Sequence, residues 1–138
     1  QETDGPKATA GPYRFGRNGN LFYHLTRIRL FAEEALPEVL GETCCWLVPP
    51  DPTASQRFLV WTQARKPRYV FVGNADTEDP VWNFNIPAGG LLPADARLEP
   101  VFSTVEGLSE RELAAPGNGL TFKVRYLAPG EGRAYRVR

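Results

Sequence analysis

A single histidine and only two cysteines among 138 residues remove much chemistry at the outset. The cysteines, Cys44 and Cys45, are neighbours. On a strand their side chains point to opposite faces, so a disulfide between them would be badly strained. With no further cysteine the chain is not disulfide-stapled, which favours reduced thiols and a cytoplasmic setting. Packing as small hydrophobes outweighs a redox role for this pair. Two adjacent thiols and His24 do not supply the spaced four-ligand set of a structural zinc site, so neither metal nor cofactor is expected.

Net charge is also missing. Sixteen basic residues balance sixteen acidic ones, leaving no overall field to draw the chain onto nucleic acid or an anionic membrane. No apolar run approaches the roughly 18 residues of a membrane span, and residues 1–19 do not read as a basic-then-apolar signal peptide. The sequence carries no nucleophile elbow, zinc-protease helix motif, phosphate loop or dinucleotide fingerprint. His24 has no partner motif and reads as a helix residue hydrogen-bonded to a neighbour. Glu33 and Glu34, about 100° apart on a helix, cannot work as a catalytic pair and read as solvated charges.

What remains is a β pattern. Thirteen glycines and thirteen prolines are enough to punctuate many short strands. Residues 57–87 contain three runs rich in β-branched and aromatic residues, each closed by turn formers, which predicts a strand meander. Tyr69 to Val72 is apolar on both faces and suits a central strand. Trp82, Phe84 and Ile86 alternate with Asn83 and Asn85, the period-two signature of a strand with one face on a core.

Residues 1–19, dense in glycine, proline and small polar residues, read as a flexible lead-in or linker end, and residues 20–138 as one folded domain. From Asn20, a possible N-cap along with Asn18, residues Leu21, Leu25, Ile28, Ala32 and Ala35 recur at helical spacing. Pro37 predicts that this helix stops near Ala35. Phe22, Leu30 and Phe31 widen its apolar face beyond what one small sheet would cover, leaving surface for another partner.

A strand follows Gly41 and ends against Pro49, Pro50 and Pro52. Arg65, Lys66 and Arg68 read as a solvated corner rather than a phosphate site. Asp76, Glu78 and Asp79 lack the ligand spacing of an EF-hand. Pro100 places its strand at an edge or bulge, and a short strand is expected near Glu112 to Ala114. The chain closes with a predicted β-hairpin, in which Leu120, Phe122, Val124 and Tyr126 alternate before an APGEG turn. The fold class is therefore mainly β: an antiparallel two-sheet β-sandwich of about eight strands with one N-terminal amphipathic helix.

Candidate ligand-binding residues are Trp61, Trp46 and Trp82, because an exposed indole can stack on the apolar face of a sugar ring. Each competes with a core role, and for Trp82 the shared face with Phe84 and Ile86 favours the core.

The order of these segments resembles the end of an alpha-amylase superfamily (glycoside hydrolase family 13) enzyme. There the last helix of the catalytic barrel leads into a C-terminal β-sandwich. The residues that carry the resemblance are the helix Leu21 to Ala35, then Pro37-Glu38-Val39-Leu40-Gly41, the strand Val70-Phe71-Val72-Gly73-Asn74, the strand Trp82 to Pro87, and the closing segment Ala128 to Arg138. No catalytic residue matches, so none is carried over. The resemblance implies a non-catalytic domain that partners the catalytic barrel of a parent chain, stabilising it or helping to place an α-glucan; the balanced charge and the lack of a long apolar run argue against a nucleic acid or membrane partner. A stand-alone carbohydrate- or ligand-binding module, or a protein-interaction domain using Phe22, Leu30 and Phe31, are the alternatives.

Overall fold

A computed structural model describes residues 20–40, 44–48 and 58–138, with side chains from Arg27 onward. The expected lead-in at 1–19, the triple-proline loop, and the side chains of Leu21, Phe22, His24 and Leu25 lie outside the described residues. The chain divides into two compact units, Gln1–Leu36 and Pro37–Arg138.

In the first unit the described element is helix α1, Asn20–Val39, whose last turn belongs to the second unit. Arg29 and Glu33 form an exposed i,i+4 ion pair on it at 2.5 Å. The helix runs through Pro37 rather than stopping near Ala35. A proline in the final turn forfeits little of the helix ladder, and the residue after it supplies a tertiary anchor. The buried Glu38 carboxylate accepts from the backbone N–H groups of Arg68, at 3.0 and 3.1 Å, and Tyr69, at 3.0 Å. Charge-assisted bonds of this kind outweigh the local preference against helix before a proline.

The second unit holds seven described strands: β1 Cys45–Val48, β2 Phe58–Thr62, β3 Tyr69–Asn74, β4 Val81–Pro87, β5 Leu98–Ser103, β6 Thr121–Leu127 and β7 Gly132–Val137. They form a five-stranded sheet, β1-β2-β3-β7-β5, and a two-stranded sheet, β4-β6, with every pair antiparallel. Central placement of β3 agrees with its doubly apolar sequence. Pro100 sits on the edge strand β5 beside a register shift, where its missing N–H breaks no inner ladder. The core lies between the sheets. Val60, Val70, Val72, Leu98 and Tyr135 from the larger meet Val81, Phe84, Ile86, Phe122, Val124 and Leu127 from the smaller.

Two expectations about pairing are corrected. β4 leaves the meander for the second sheet, and β6 and β7 do not pair as a hairpin: β6 joins β4, while β7 lies between β3 and β5. Alternation fixes a strand and its face but not its neighbour; buried polar groups line the corner where β6 leads to β7. Gly130 adopts φ +65°, which glycine accepts without strain. The Glu131 carboxylate accepts from Ala128 N at 2.8 Å and from Ser103 Oγ at 2.5 Å.

Arg133 donates to both Glu131 oxygens, at 2.7 and 2.9 Å, and to the Tyr126 carbonyl at 2.8 Å. It also donates to Tyr135 Oη at 2.9 Å and to the Glu112 carbonyl at 3.1 Å. Both side chains of the Glu131–Arg133 pair are wholly buried. The expected strand near Glu112 is instead a short helix, α2, Glu110–Leu113. Ser109 and Glu112 form a reciprocal capping box, at 3.1 and 2.9 Å, and that local bonding overrides an extended conformation.

Removing one partner from the buried pair should be costly. Equilibrium unfolding of Glu131→Ala in guanidinium is expected to show a loss of about 3–5 kcal/mol; a loss below about 1 kcal/mol would mean that the network is not structural.

Burial raises the Tyr135 hydroxyl pKa, the opposing pull of Arg133 notwithstanding. The folded chain thus retains a proton that the unfolded chain releases above about pH 10. Stability owed to this group is intact below that pH and declines as pH climbs toward the folded value. Unfolding measured from about pH 8 to about pH 11 should show the decline, and Tyr135→Phe should flatten it.

Candidate functional site

The structure separates the three tryptophans into two places. On the larger sheet, Trp46 of β1 stands directly across from Trp61 of β2, and Trp61 across from Phe71 of β3. The indoles of Trp46 and Trp61 are 5.8 Å apart and tilted by 52°, and Trp61 and Phe71 are 5.7 Å apart and stacked. Residues of the opposite parity, Val60, Val70 and Val72, fill the core, so this aromatic row occupies the other face. Trp61 is partly covered and packs beside Gly73, whereas Trp46 at the sheet edge is 47% exposed.

Trp82 is on the smaller sheet and does not join Phe84 and Ile86 in the core. It is 60% exposed, while those two are buried. The cause lies at the next residue. Asn83 has φ +50°, the left-handed region that asparagine tolerates better than most side chains. That turn of the backbone breaks the alternation, so Val81 and Phe84 face inward and Trp82 outward. Opposite Trp82 stands Tyr126, which the sequence pattern had placed with Phe122 and Val124. Their rings lie 4.6 Å apart and are inclined at 58°. Asn83 and Tyr126 are thus the residues that sequence reasoning missed. An asparagine inside an aromatic strand run was the available signal.

Elsewhere the acidic and basic candidates serve local structure. Asp76 Oδ1 accepts from the N–H groups of Glu78 and Asp79, at 2.8 and 3.0 Å, which folds the loop on itself. Arg65 and Lys66 are exposed, and the Arg68 guanidinium lies 5.4 Å from the Tyr69 ring centroid. Cys44 and Cys45 are free thiols at the start of the edge strand. Among the described residues no group of three or more histidine, cysteine, aspartate or glutamate side chains could hold a metal, and no helix is long and apolar enough to cross a membrane. What the exposed strands offer chemically is aromatic stacking with neutral amides alongside.

No family model matches the chain, and no curated protein matches it. Among solved structures, it is similar to the trehalulose synthase MutB from Pseudomonas mesoacidophila MX-45. The identity is 21%, the TM-score 0.47, and the match covers 86% of this chain and 18% of that one. A MutB mutant in complex with glucose gives 19% identity and a TM-score of 0.48, with 98% of this chain and 20% of that chain covered. The chain therefore spans about a fifth of the length of the solved chains it matches.

Placement of Trp82 outside the core has a direct consequence for stability. Trp82→Ala should change the unfolding free energy by less than about 1 kcal/mol, whereas Phe84→Ala should cost about 3–5 kcal/mol. Denaturant titrations of the two variants decide it: comparable losses would return Trp82 to the core.

Proposed function

We propose that the chain is a non-catalytic β-domain of a glycoside hydrolase acting on α-glucans, following the catalytic barrel in a longer parent and stabilising it. One observation carries this reading: the segments that resemble the alpha-amylase superfamily hold the polar side chains that tie the β unit together. Within Pro37 to Gly41, Glu38 caps the N–H groups that open β3. At the end of Val70 to Asn74, the Asn74 amide donates to the carbonyls of Asp79 and Ala128, at 2.9 and 3.1 Å. Within Ala128 to Arg138, Glu131 and Arg133 bind one another. A segment order kept together with its fastenings is what a scaffold domain requires, since its work is to hold a shape.

Exposed apolar side chains support a docking role. Leu40 is 69% exposed, and Val39, Leu30, Leu36 and Ile28 are exposed as well. In the second unit, exposed Val39 and Leu40 offer apolar surface to a partner. A catalytic barrel of the same parent chain is the partner proposed for it, and a cytoplasmic setting is proposed with it, in keeping with the free thiols.

The purified chain should show no hydrolysis of starch, glycogen or maltooligosaccharides in a reducing-sugar assay. Turnover above a buffer blank that co-purifies with the folded chain would falsify the proposal.

A further inference from the structure

The outer face of the smaller sheet combines features that neither the core nor the scaffold role uses. Trp82 and Tyr126 are cross-strand partners there, with Asn83, Asn85, Lys123 and Arg125 exposed around them. Asn85 and Lys123 are themselves directly opposite one another. Neither β4 nor β6 contains an acidic residue. The Trp82 indole is left 60% exposed on a strand whose residues Val81, Phe84 and Ile86 are buried, and it pairs with the Tyr126 ring across the ribbon. Its outward position depends on a left-handed Asn83, a conformation away from the ordinary strand basin.

The geometry points to a binding platform for an α-linked glucan on this face, with Trp82 and Tyr126 as the stacking pair and Asn83, Asn85 and Arg125 as hydrogen-bonding groups. The apolar C–H faces of a sugar ring lie on aromatic rings, while its hydroxyls project sideways, where amide and guanidinium donors can meet them. Both asparagines can donate and accept, which suits hydroxyl groups that do both. The tilt selects among sugars. Two rings inclined at 58° form an angled surface that follows a curved α-linked chain, whereas a flat β-linked ribbon would rest on one ring only.

A single-stranded nucleic acid also stacks on aromatics beside cations. It draws much of its affinity from counterion release, and this chain has no net positive charge and only two cations on the face. The choice of α-glucan over other curved sugars rests on the function proposed above.

The test is a titration of the 138-residue chain with maltoheptaose, read by tryptophan fluorescence and by the indole N–H signals in NMR. Parallel titrations use cellohexaose and a ten-residue oligothymidylate. Saturable binding of maltoheptaose with the largest shift at the Trp82 indole is expected, weakened about tenfold or more by Trp82→Ala and by less than about twofold by Trp46→Ala. Asn85→Ala, which leaves the stacking rings in place, should weaken binding to a smaller extent and keeps the test open should Trp82→Ala fold poorly.

The proposal is overturned by no saturable change, by equal binding of cellohexaose, by preferential binding of the oligonucleotide, or by a response that survives Trp82→Ala. An inactive chain that binds no glucan removes this platform and leaves the scaffold role standing. Hydrolysis by the chain removes the scaffold role whatever Trp82 does.

Discussion

The pairing of Glu131 with Arg133 decides how this β fold turns its last corner. Two fully buried opposite charges are a liability unless nearly every donor and acceptor is used. Here the guanidinium meets the carboxylate through two bonds and spends its remaining donors on the Tyr126 carbonyl of β6, the α2 carbonyls and the Tyr135 hydroxyl. The carboxylate in turn receives Ser103 of β5 and the Ala128 N–H. Four elements are thereby set against one charge pair. Apolar contact between the sheets supplies attraction but little direction, whereas these bonds tie β5, β6, β7 and α2 together at one point.

Buried polar groups also serve a second of the four crossings between the sheets. Where β3 gives way to β4, the buried Asn74 side chain donates to Asp79 O on its own loop and to Ala128 O on the loop joining β6 to β7, and it accepts from Asp76 N. Its backbone N–H donates to the Glu131 carbonyl at 2.9 Å. The β3–β4 and β6–β7 connections are therefore fastened to each other at one end of the sandwich. A short β4-β6 ribbon, marginal by itself, gains support from this joint as well as from its apolar inner face.

How far the sequence could be read follows from how local each signal was. β-branched runs, the doubly apolar β3 and the strand-breaking Pro100 act through their own backbone or their two faces, and these features stand where the sequence reading put them. Pairing partners were not legible: β6 and β7 alternate as a hairpin would, but residues distant in sequence, Ser103 and Glu112 among them, send them to different sheets. The end of α1 was misplaced for a related reason, since Pro37 is a local signal and the Glu38 bonds to Arg68 and Tyr69 are not. For α2 the capping box of Ser109 and Glu112 is a local signal, and it outweighs the extended character of the residues that follow. In the candidate site, Trp46, Trp61 and Trp82 were found by residue type, but a period of two carried Trp82 into the core because it assumes an unbroken pleat.

The break at Asn83 separates two jobs within one seven-residue strand. Phe84 and Ile86 hold the ribbon to the larger sheet, and Trp82 is thereby released from packing. If all three aromatic and aliphatic positions faced inward, any change at the tryptophan would alter core volume, and the interior tolerates such changes poorly. Turned outward, the indole can alter its surroundings without disturbing the sandwich beneath it. A ribbon of only two strands also leaves this face uncrossed by further strands of its own sheet. A fold held at its corner by buried charges can therefore carry an exposed aromatic pair on its smaller sheet, because the forces that define the fold and the groups that meet solvent belong to different residues.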